Sequence, residues 1–463
     1  MQPLIDSIKW FFAQFGLGLD DNAVYFLLGV LVPPVLAVAS RLLRTTVVKW
    51  SRNKYHRWRA KSVFAFVEPR LTRVSYFPIF PVIDIKDSPK PQIHHVIKRS
   101  PSSFRFAPEL DQVESTVSDF IVSRKRISQE DPAFHTYMSQ LKERIRQADF
   151  AKSDELNLTD FSPEKLRVFS NLTADSNGLR ETKRKVLYDF LMGGSDGNGF
   201  LHNGKLLAVQ DYKKSKNPDE DEELHLLLQE TDYFSYRVIA ELADNILSKH
   251  GLAEMLGTTP NHFSEYLSQF QANIHLSLGL GIIVHTYHDN RIIITRRSAN
   301  AAQNVREAGK YFMSACEGIN NNDVSGDDRT QLQPLTEIVQ RAIYEELYGK
   351  SKDTNLTALI RKCLVTGSFL YLPNLSIELC VYVGLDCHSD DVRNAYHLAK
   401  DSGLETSEII KEPRWDNQTG LPRFHPKSLH RFLKKTIGSK QVGEVWDEGA
   451  ITALMLSSYV EDD

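Results

Sequence analysis

The stretch PLTEIVQRAIYEELYG, residues 334–349, carries two adjacent carboxylates, Glu345 and Glu346, on what its spacing predicts to be a helix. Arg341 and Glu345 are four positions apart, which is the spacing of a surface salt bridge worth about 0.3–0.5 kcal/mol. The same carboxylates could instead hold a divalent cation against a phosphate, because hard cations prefer oxygen ligands. The helix alone leaves both interpretations open, a solvated face and a metal site.

The elements around this helix are predicted from apolar runs and turn residues. HLSLGLGIIVHTYHDNRIIITRRS, residues 275–298, predicts two strands joined by a turn at 287–290. KYFMSACEGI, residues 310–319, predicts a third strand that ends at Gly318. Further strands are predicted at 369–374 and 375–386, and helices at 426–437 and 446–460.

This order of elements resembles the Nudix hydrolase superfamily over residues 273–463. The similarity rests on IIITRRS, SACEGI, QRAIYEELYG and the closing helix that follows Trp446. It implies that a strand, a loop and a helix present carboxylates to Mg²⁺ or Mn²⁺, which bridges a diphosphate while water attacks phosphorus. The implied catalytic residues are Glu345 and Glu346, the metal ligands are Glu317, Glu345 and Glu346, and the ligand-binding residues are Arg296, Arg297, Gly318 and Arg341.

The chain departs from the family pattern at several positions. Ala342 stands where the pattern has a glutamate, and the upstream glutamate of the pattern falls near Gln333. The loop before Arg341 is longer than usual, and Gly349 lies one place late. These departures predict a single metal site, with Glu345, Glu346 and the Gly318 carbonyl as ligands, in place of the full catalytic set. The carboxylates available as replacements are Glu317, Asp323, Asp327, Asp328 and Glu337.

Other polar clusters give weaker signals. His285 and His288 straddle a strand end and are interpreted as a satisfied surface pair rather than a metal site. DCHSDD, residues 386–391, fits no standard zinc spacing and is interpreted as a loop that caps the next helix. The four cysteines form no CxxC pair, which indicates inert thiols in a reducing compartment.

The N-terminal region has the composition of a membrane anchor. Residues 22–40 contain no charged side chain, and residues 41–61 contain basic residues without an acidic one. This predicts one transmembrane helix at about 22–43 in the inner membrane, with the N-terminus outside, the bulk cytoplasmic and lipid as a partner. A cleaved signal peptide and a buried soluble helix are the alternatives. The basic run could also bind nucleic acid, but anionic lipid is the simpler partner.

Four segments follow from these patterns: an anchor at 1–61, a proline-rich connector at 62–108, a middle α/β region at 109–270 and a Nudix-like domain at 273–463. The expected fold class is α+β, with a single N-terminal transmembrane helix, a mixed α/β middle region and a C-terminal Nudix-like α/β/α sandwich. The 463 residues carry a net charge of −3, which argues neither for nor against nucleic acid. Because anionic lipid is the simpler partner of the basic run, no nucleic-acid polymer is expected as a partner.

A transmembrane segment joined to a Nudix-like domain resembles the membrane-anchored effectors of cyclic-oligonucleotide-based antiphage signalling systems. That resemblance implies a homo-oligomer that binds a nucleotide ligand, such as a cyclic oligonucleotide, and disrupts the membrane. The alternative is a membrane-tethered, Mg²⁺-dependent pyrophosphohydrolase of a nucleoside diphosphate derivative. A scaffold that kept the fold and lost its ligand is a third hypothesis. Whether the protein is an enzyme stays open at this point.

Overall fold

The structure is a computed structural model, and it describes only part of the chain. The described residues are 60–86, 93–98, 182, 185, 186, 205–216, 222–250, 276–297, 308–325, 331–349, 355–373, 375–399, 406–409 and 422–460. Their elements in chain order are α1 60–67, β1 Val74–Asp84, β2 Ile93–Lys98, β3 Lys205–Lys216, β4 Glu222–Asp232, α2 Tyr233–His250, β5 Leu276–Thr286, β6 Arg291–Ile292, β7 Thr295–Arg297, β8 Tyr311–Phe312, β9 Ala315–Gly318, β10 Val324–Ser325, β11 Gln331–Leu332, α3 Leu335–Ile343, a π-helix Tyr344–Tyr348, α4 Leu356–Leu359, β12 Ile360–Tyr371, β13 Ser376–Leu385, α5 Ser389–Ala395, β14 Thr406–Ile409, α6 Pro426–Ile437, α7 Val442–Val445 and α8 Glu448–Ser457.

The main sheet has nine strands in the order β1-β12-β13-β5-β3-β4-β2, and β6 and β9 also pair with β5. Strand β5 runs parallel to β13, with the register from Ser277–Ser376 to Thr286–Leu385. Both strands are buried along nearly their whole length, as their continuous apolar runs require. Strand β9 pairs antiparallel with β5 and thereby brings Glu317 and Gly318 to the edge of this central pair.

The main sheet curls so that distant strands meet. Strands β1 and β3 are well separated in the strand order. Nevertheless the rings of Phe77 on β1 and Tyr212 on β3 lie 6.4 Å apart. The hydroxyl of Tyr212 also forms a 2.7 Å hydrogen bond with Ser368 on β12. The curl encloses an apolar core on its inner face.

Helices cover both faces of the central strands. Helix α3 buries Ile338, Val339 and Ile343 in the core that also contains the inner side chains of β5. Helix α8 lies on the opposite face and packs closely, since a Cβ at Gly449 would lie 2.8 Å from the ring of Phe369. The helix with the acidic pair is therefore anchored through its apolar stripe.

The predicted fold class is wrong and is replaced by a mixed α/β fold built on one curled sheet. Strand β1 comes from the expected connector, and β3 and β4 come from the expected middle region. They nevertheless join the same sheet as the C-terminal strands, because β1 pairs with β12 and β3 pairs with β5. Backbone pairing between distant segments thus extends the sheet beyond what an isolated Nudix-like α/β/α sandwich would contain.

The predicted membrane topology also needs correction. The helix expected at about 22–43 lies outside the described residues. Within the described ranges, no helix is both long and apolar enough to cross a membrane. The 18-residue helix α2, for example, carries Arg237, Glu241, Asp244 and Lys249. The structure therefore does not support the predicted single-pass inner-membrane protein with its N-terminus outside. It also does not support the transmembrane helix in the predicted fold class.

Several local predictions are confirmed. The turn at 287–290 joins β5 to β6, with Asn290 at φ 53°. Helix α6 covers Pro426–Ile437 as expected, and α8 lies within the predicted 446–460. The strand predicted at 310–319 is instead two strands, because β8 pairs with β7 in a small sheet while β9 pairs with β5.

Candidate functional site

The helix that carries the acidic pair changes from α to π geometry at Tyr344–Tyr348. The N–H of Gly349 donates to the carbonyl of Tyr344 at 2.9 Å, five residues back, which is the π-helical pattern. A π-turn accommodates one extra residue in the last turn of the helix before Gly349. Gly349 adopts φ 65°, and a Cβ there would lie 2.4 Å from the carbonyl oxygen of Leu398. Only glycine fits this helix end.

Arg341 joins two carboxylates from other elements. Its Nη2 donates to Glu317 Oε1 on β9 at 3.0 Å, and its Nη1 is hydrogen-bonded to the buried carboxylate of Asp323. Asp323 also accepts a 2.8 Å hydrogen bond from the N–H of Asn320, which fixes the loop after β9. The structure thus places Arg341 between β9 and this loop.

Glu346 and Glu345 lie next to this ion-pair network. Glu346 is almost fully buried, and its Oε1 accepts a 2.8 Å hydrogen bond from the N–H of Cys316 on β9. Burial raises the pKa of the Glu317 carboxyl to about 7 despite the opposing charge of Arg341, and the nearby charge of Glu345 raises it further. We name Glu317, Asp323, Arg341, Glu345 and Glu346 the acidic cluster.

The surroundings of the acidic cluster differ from one side to the other. Gly318 is exposed, and a Cβ added to it would meet nothing within 4 Å, so the end of β9 borders open space. Ala342 is fully buried in the apolar core. Of the proposed replacement carboxylates, Asp323 joins the cluster and Glu337 is exposed on the first turn of α3. Asp327 and Asp328 lie outside the described residues.

Arg296 and Arg297 belong to a different sheet. They lie on β7, which pairs with β8 and β14. The guanidinium of Arg296 stacks 4.4 Å over the ring of Tyr311 and donates to the Gly309 carbonyl at 2.9 Å. The guanidinium of Arg297 stacks 4.5 Å over the ring of Phe312. Their role as ligand-binding residues stays a prediction, and the described contacts do not join them to the acidic cluster.

Glu378 is a buried carboxyl that the sequence interpretation did not single out. It lies on β13 opposite Gly279 of β5, and a Cβ at the nearby Gly281 would lie 3.2 Å from its Oε2. Burial raises the pKa of Glu378 to about 8, and the charge of Asp447 raises it further. A lone glutamate within the apolar run LSIELCVYVGL was the available signal.

A second missed group consists of His94, Glu223 and His225 on the strands β2 and β4. The available signal was the alternation of polar side chains in IHHVIK and EELHLL, which places every second residue on one face of a strand. The pairing of β2 with β4 could not be deduced from the sequence, because residues 98 and 222 are more than a hundred positions apart.

The predicted histidine pair separates into two environments. His285 is buried, not on the surface, and its ring nitrogens contact the hydroxyl of Tyr382 at 2.6 Å and the side-chain oxygen of Asn290 at 3.0 Å. Burial lowers the pKa of His285 to about 4, so the ring is neutral near pH 7. His288 lies half-exposed, 3.3 Å from Asp386.

The interpretation of residues 386–391 as a capping loop is confirmed. His388 is the N-cap of α5, and Asp391 accepts a 2.9 Å hydrogen bond from its N–H. This reciprocal arrangement satisfies amide groups that the first turn of a helix leaves without partners.

Comparison with known proteins adds no assignment to this geometry. No protein-family model matches the chain, and no curated protein matches it either.

Proposed function

We propose that the protein binds a nucleotide or another diphosphate-containing ligand at the acidic cluster through one divalent cation. The observation that carries the proposal is the convergence of Glu317 from β9 with Arg341, Glu345 and Glu346 from the α3–π segment. Four carboxylates around one arginine leave an excess of negative charge, which a hard cation such as Mg²⁺ or Mn²⁺ neutralises. The resemblance to Nudix hydrolases supports the same assignment.

The cluster favours ligand binding over efficient hydrolysis. Arg341 engages both Glu317 and Asp323, and one oxygen of Glu346 is engaged by the Cys316 N–H. Position 342 faces the core and supplies no ligand. Glu345, Glu317 and Glu346 would be the residues that hold a single cation at the end of β9, and the cation would supply the positive charge that a phosphate needs. One such cation is enough to hold a phosphate. A full Nudix pattern has more carboxylates than this cluster provides, so the cluster is suited to binding rather than to hydrolysis.

A second candidate function is pyrophosphohydrolysis of a nucleoside diphosphate derivative. The observation that favours it is the position of Glu317, a partly buried carboxyl held by Arg341 at 3.0 Å next to the open space at Gly318. Burial raises the pKa of this carboxyl to about 7. A carboxyl with a pKa near the working pH is suited to act as a general base toward a water molecule. The membrane step that the sequence suggested is not part of either candidate.

The two candidates are separated by one set of measurements on the full chain. Binding of Mn²⁺, of cyclic oligonucleotides and of nucleoside diphosphate derivatives is measured by calorimetry, and product formation is followed in the same solutions. Cation-dependent binding that is weakened in Glu345→Gln, without turnover, supports the binding protein. Turnover that is lost in both Glu345→Gln and Glu317→Gln supports the hydrolase. Equal affinities for native protein and Glu345→Gln, with no turnover, contradict both.

A further inference from the structure

The side chains of His94, Glu223 and His225 converge on one face of the paired strands β2 and β4. Parallel pairing places His94 directly beside His225, and Glu223 lies two residues before His225 on the same face of β4. The two imidazole rings are stacked, with centroids 4.8 Å apart and planes inclined by 16°. Three metal-ligating side chains are thus presented together by backbone pairing.

The distances between the donor atoms match those around a small metal ion. Nε2 of His94 lies 3.6 Å and Nε2 of His225 lies 3.5 Å from the same oxygen of Glu223. A zinc ion about 2.1 Å from each donor separates two tetrahedral donors by about 3.4 Å. All three donor atoms lie within 4.8 Å of one another, so a small side-chain adjustment completes the arrangement.

An ordinary surface ion pair fits these atoms less well. A protonated histidine approaches a carboxylate to about 2.7–2.9 Å, and both separations here are longer. Although the His94 side chain is 40% exposed, its Nε2 is shielded from solvent and finds no hydrogen-bond partner among the described residues. A shielded imidazole nitrogen that faces two other ligands is the arrangement that a bound cation satisfies.

We propose that His94, Glu223 and His225 form a site for a divalent transition metal, with Zn²⁺ as the expected ion. Two imidazole nitrogens and one carboxylate select Zn²⁺ over Mg²⁺, which prefers oxygen ligands. The partial exposure of all three side chains leaves a coordination position for water or for an added ligand, as in three-residue zinc sites. The site is separate from the acidic cluster and does not depend on the proposed function.

Zinc binding here would join strand β2 to the rest of the sheet. Strand β2 is the last in the strand order and pairs with β4. A metal with ligands from both strands adds a cross-link at this position. Because the metal binds the folded arrangement and not the separated strands, zinc is expected to raise the melting temperature of the native protein.

The test is a zinc titration of the full chain, followed by calorimetry after removal of bound metal. His94→Ala and His225→Ala are each expected to weaken binding by roughly 100-fold, and Glu223→Gln by roughly tenfold, since the loss of even an outer partner costs 10–100-fold. Cobalt(II) is added to the same variants as a spectroscopic probe, because a tetrahedral site gives it intense visible absorption. His397→Ala, which removes an exposed histidine elsewhere, is the matched control and should bind as the native protein does.

Each outcome of the titration decides the proposal. The site is supported if the histidine variants bind one zinc ion fewer than the native protein does. In the presence of chelator, the melting temperatures of these variants should equal that of the native protein. Glu223→Gln keeps the shape of the glutamate side chain. It therefore provides the test if an alanine variant fails to fold. Zinc binding of equal affinity in native protein and all three variants would overturn the proposal, as would the absence of zinc binding to the native chain.

Discussion

The guanidinium of Arg341 is paired with the fully buried carboxylate of Asp323, which connects the helix of the acidic cluster to the loop after β9. The Arg341 side chain is itself only 28% exposed. Removing the arginine would leave a charged group in the interior without its counter-charge, and that cost exceeds the net value of the pair.

Arg341→Met is therefore expected to lower the free energy of unfolding by about 3 kcal/mol. The measurement is urea denaturation followed by circular dichroism. Adding Asp323→Asn should recover part of the loss, because the uncompensated charge is then removed as well. Lys213→Met, which removes a 73% exposed partner of Asp211, is the control and should change stability by less than about 1 kcal/mol. A loss in Arg341→Met no larger than in this control would contradict the prediction.

Glu346 should be needed for folding stability as well as for the proposed cation site. Glu346→Ala removes the acceptor for the Cys316 N–H and is expected to cost about 1–3 kcal/mol. Glu346→Gln keeps an acceptor oxygen at the same place, so its stability should stay close to native while cation affinity falls. Denaturant unfolding and Mn²⁺ titration of both variants check the two effects separately. Equal stabilities for the two variants would show that the hydrogen bond contributes little.

Glu378 should make the stability of the protein depend on pH. Its pKa is raised from 4.5 to about 8, so the folded state keeps a proton that the unfolded state loses between these values. The stabilisation that comes from this retained proton is fully present below pH 4.5. It is lost as the pH rises through about 8, and the free energy of unfolding falls by at most about 1.4 kcal/mol per pH unit.

Glu378→Gln removes this titration. The stability of the variant minus that of the native protein should therefore increase between about pH 5 and about pH 8 and then level off. Urea denaturation of both proteins at three pH values measures this difference. A difference that is the same at every pH would show that Glu378 titrates normally in the folded protein.

Substitutions at two glycines with positive φ distinguish the energetic cost of backbone strain from the cost of steric overlap. Gly349→Ala places a Cβ 2.4 Å from the Leu398 carbonyl oxygen and should destabilise the protein by more than about 3 kcal/mol. Gly438→Ala has a similar φ of 58° but no atom within 4 Å of the new Cβ. It should cost only about 1–2 kcal/mol. Thermal unfolding of the two variants measures the contrast, and equal losses would place Leu398 farther away than described.

The sequence predicts the parts of the fold that depend on local periodicity and turn chemistry. The turn before Arg291, helix α6 and the capping of α5 follow from residues that are close in the chain. The joining of β1 to β12 does not, because the two strands lie almost three hundred residues apart in the chain and local patterns carry no information on such pairing. Pro78 lies within β1, which is tolerated because β12 is the one strand that pairs with β1 among the described residues.

The candidate site was predictable in composition but not in detail. The resemblance to Nudix hydrolases implied that Glu317 and Glu345 would lie close together. The π-turn at Tyr344–Tyr348 was not predictable, because one inserted residue in a helix changes no apolar periodicity over so short a stretch. Glu378 was missed because its partners Gly279 and Gly281 lie about a hundred residues earlier in the chain.

The prolines of strand β1 bear on how the protein resists aggregation. Pro78 and Pro81 have no N–H, so the outer border of the main sheet lacks a complete row of donors. The register shift between Pro78 and Ile83 distorts the same border further. A foreign strand therefore finds a poor template along β1.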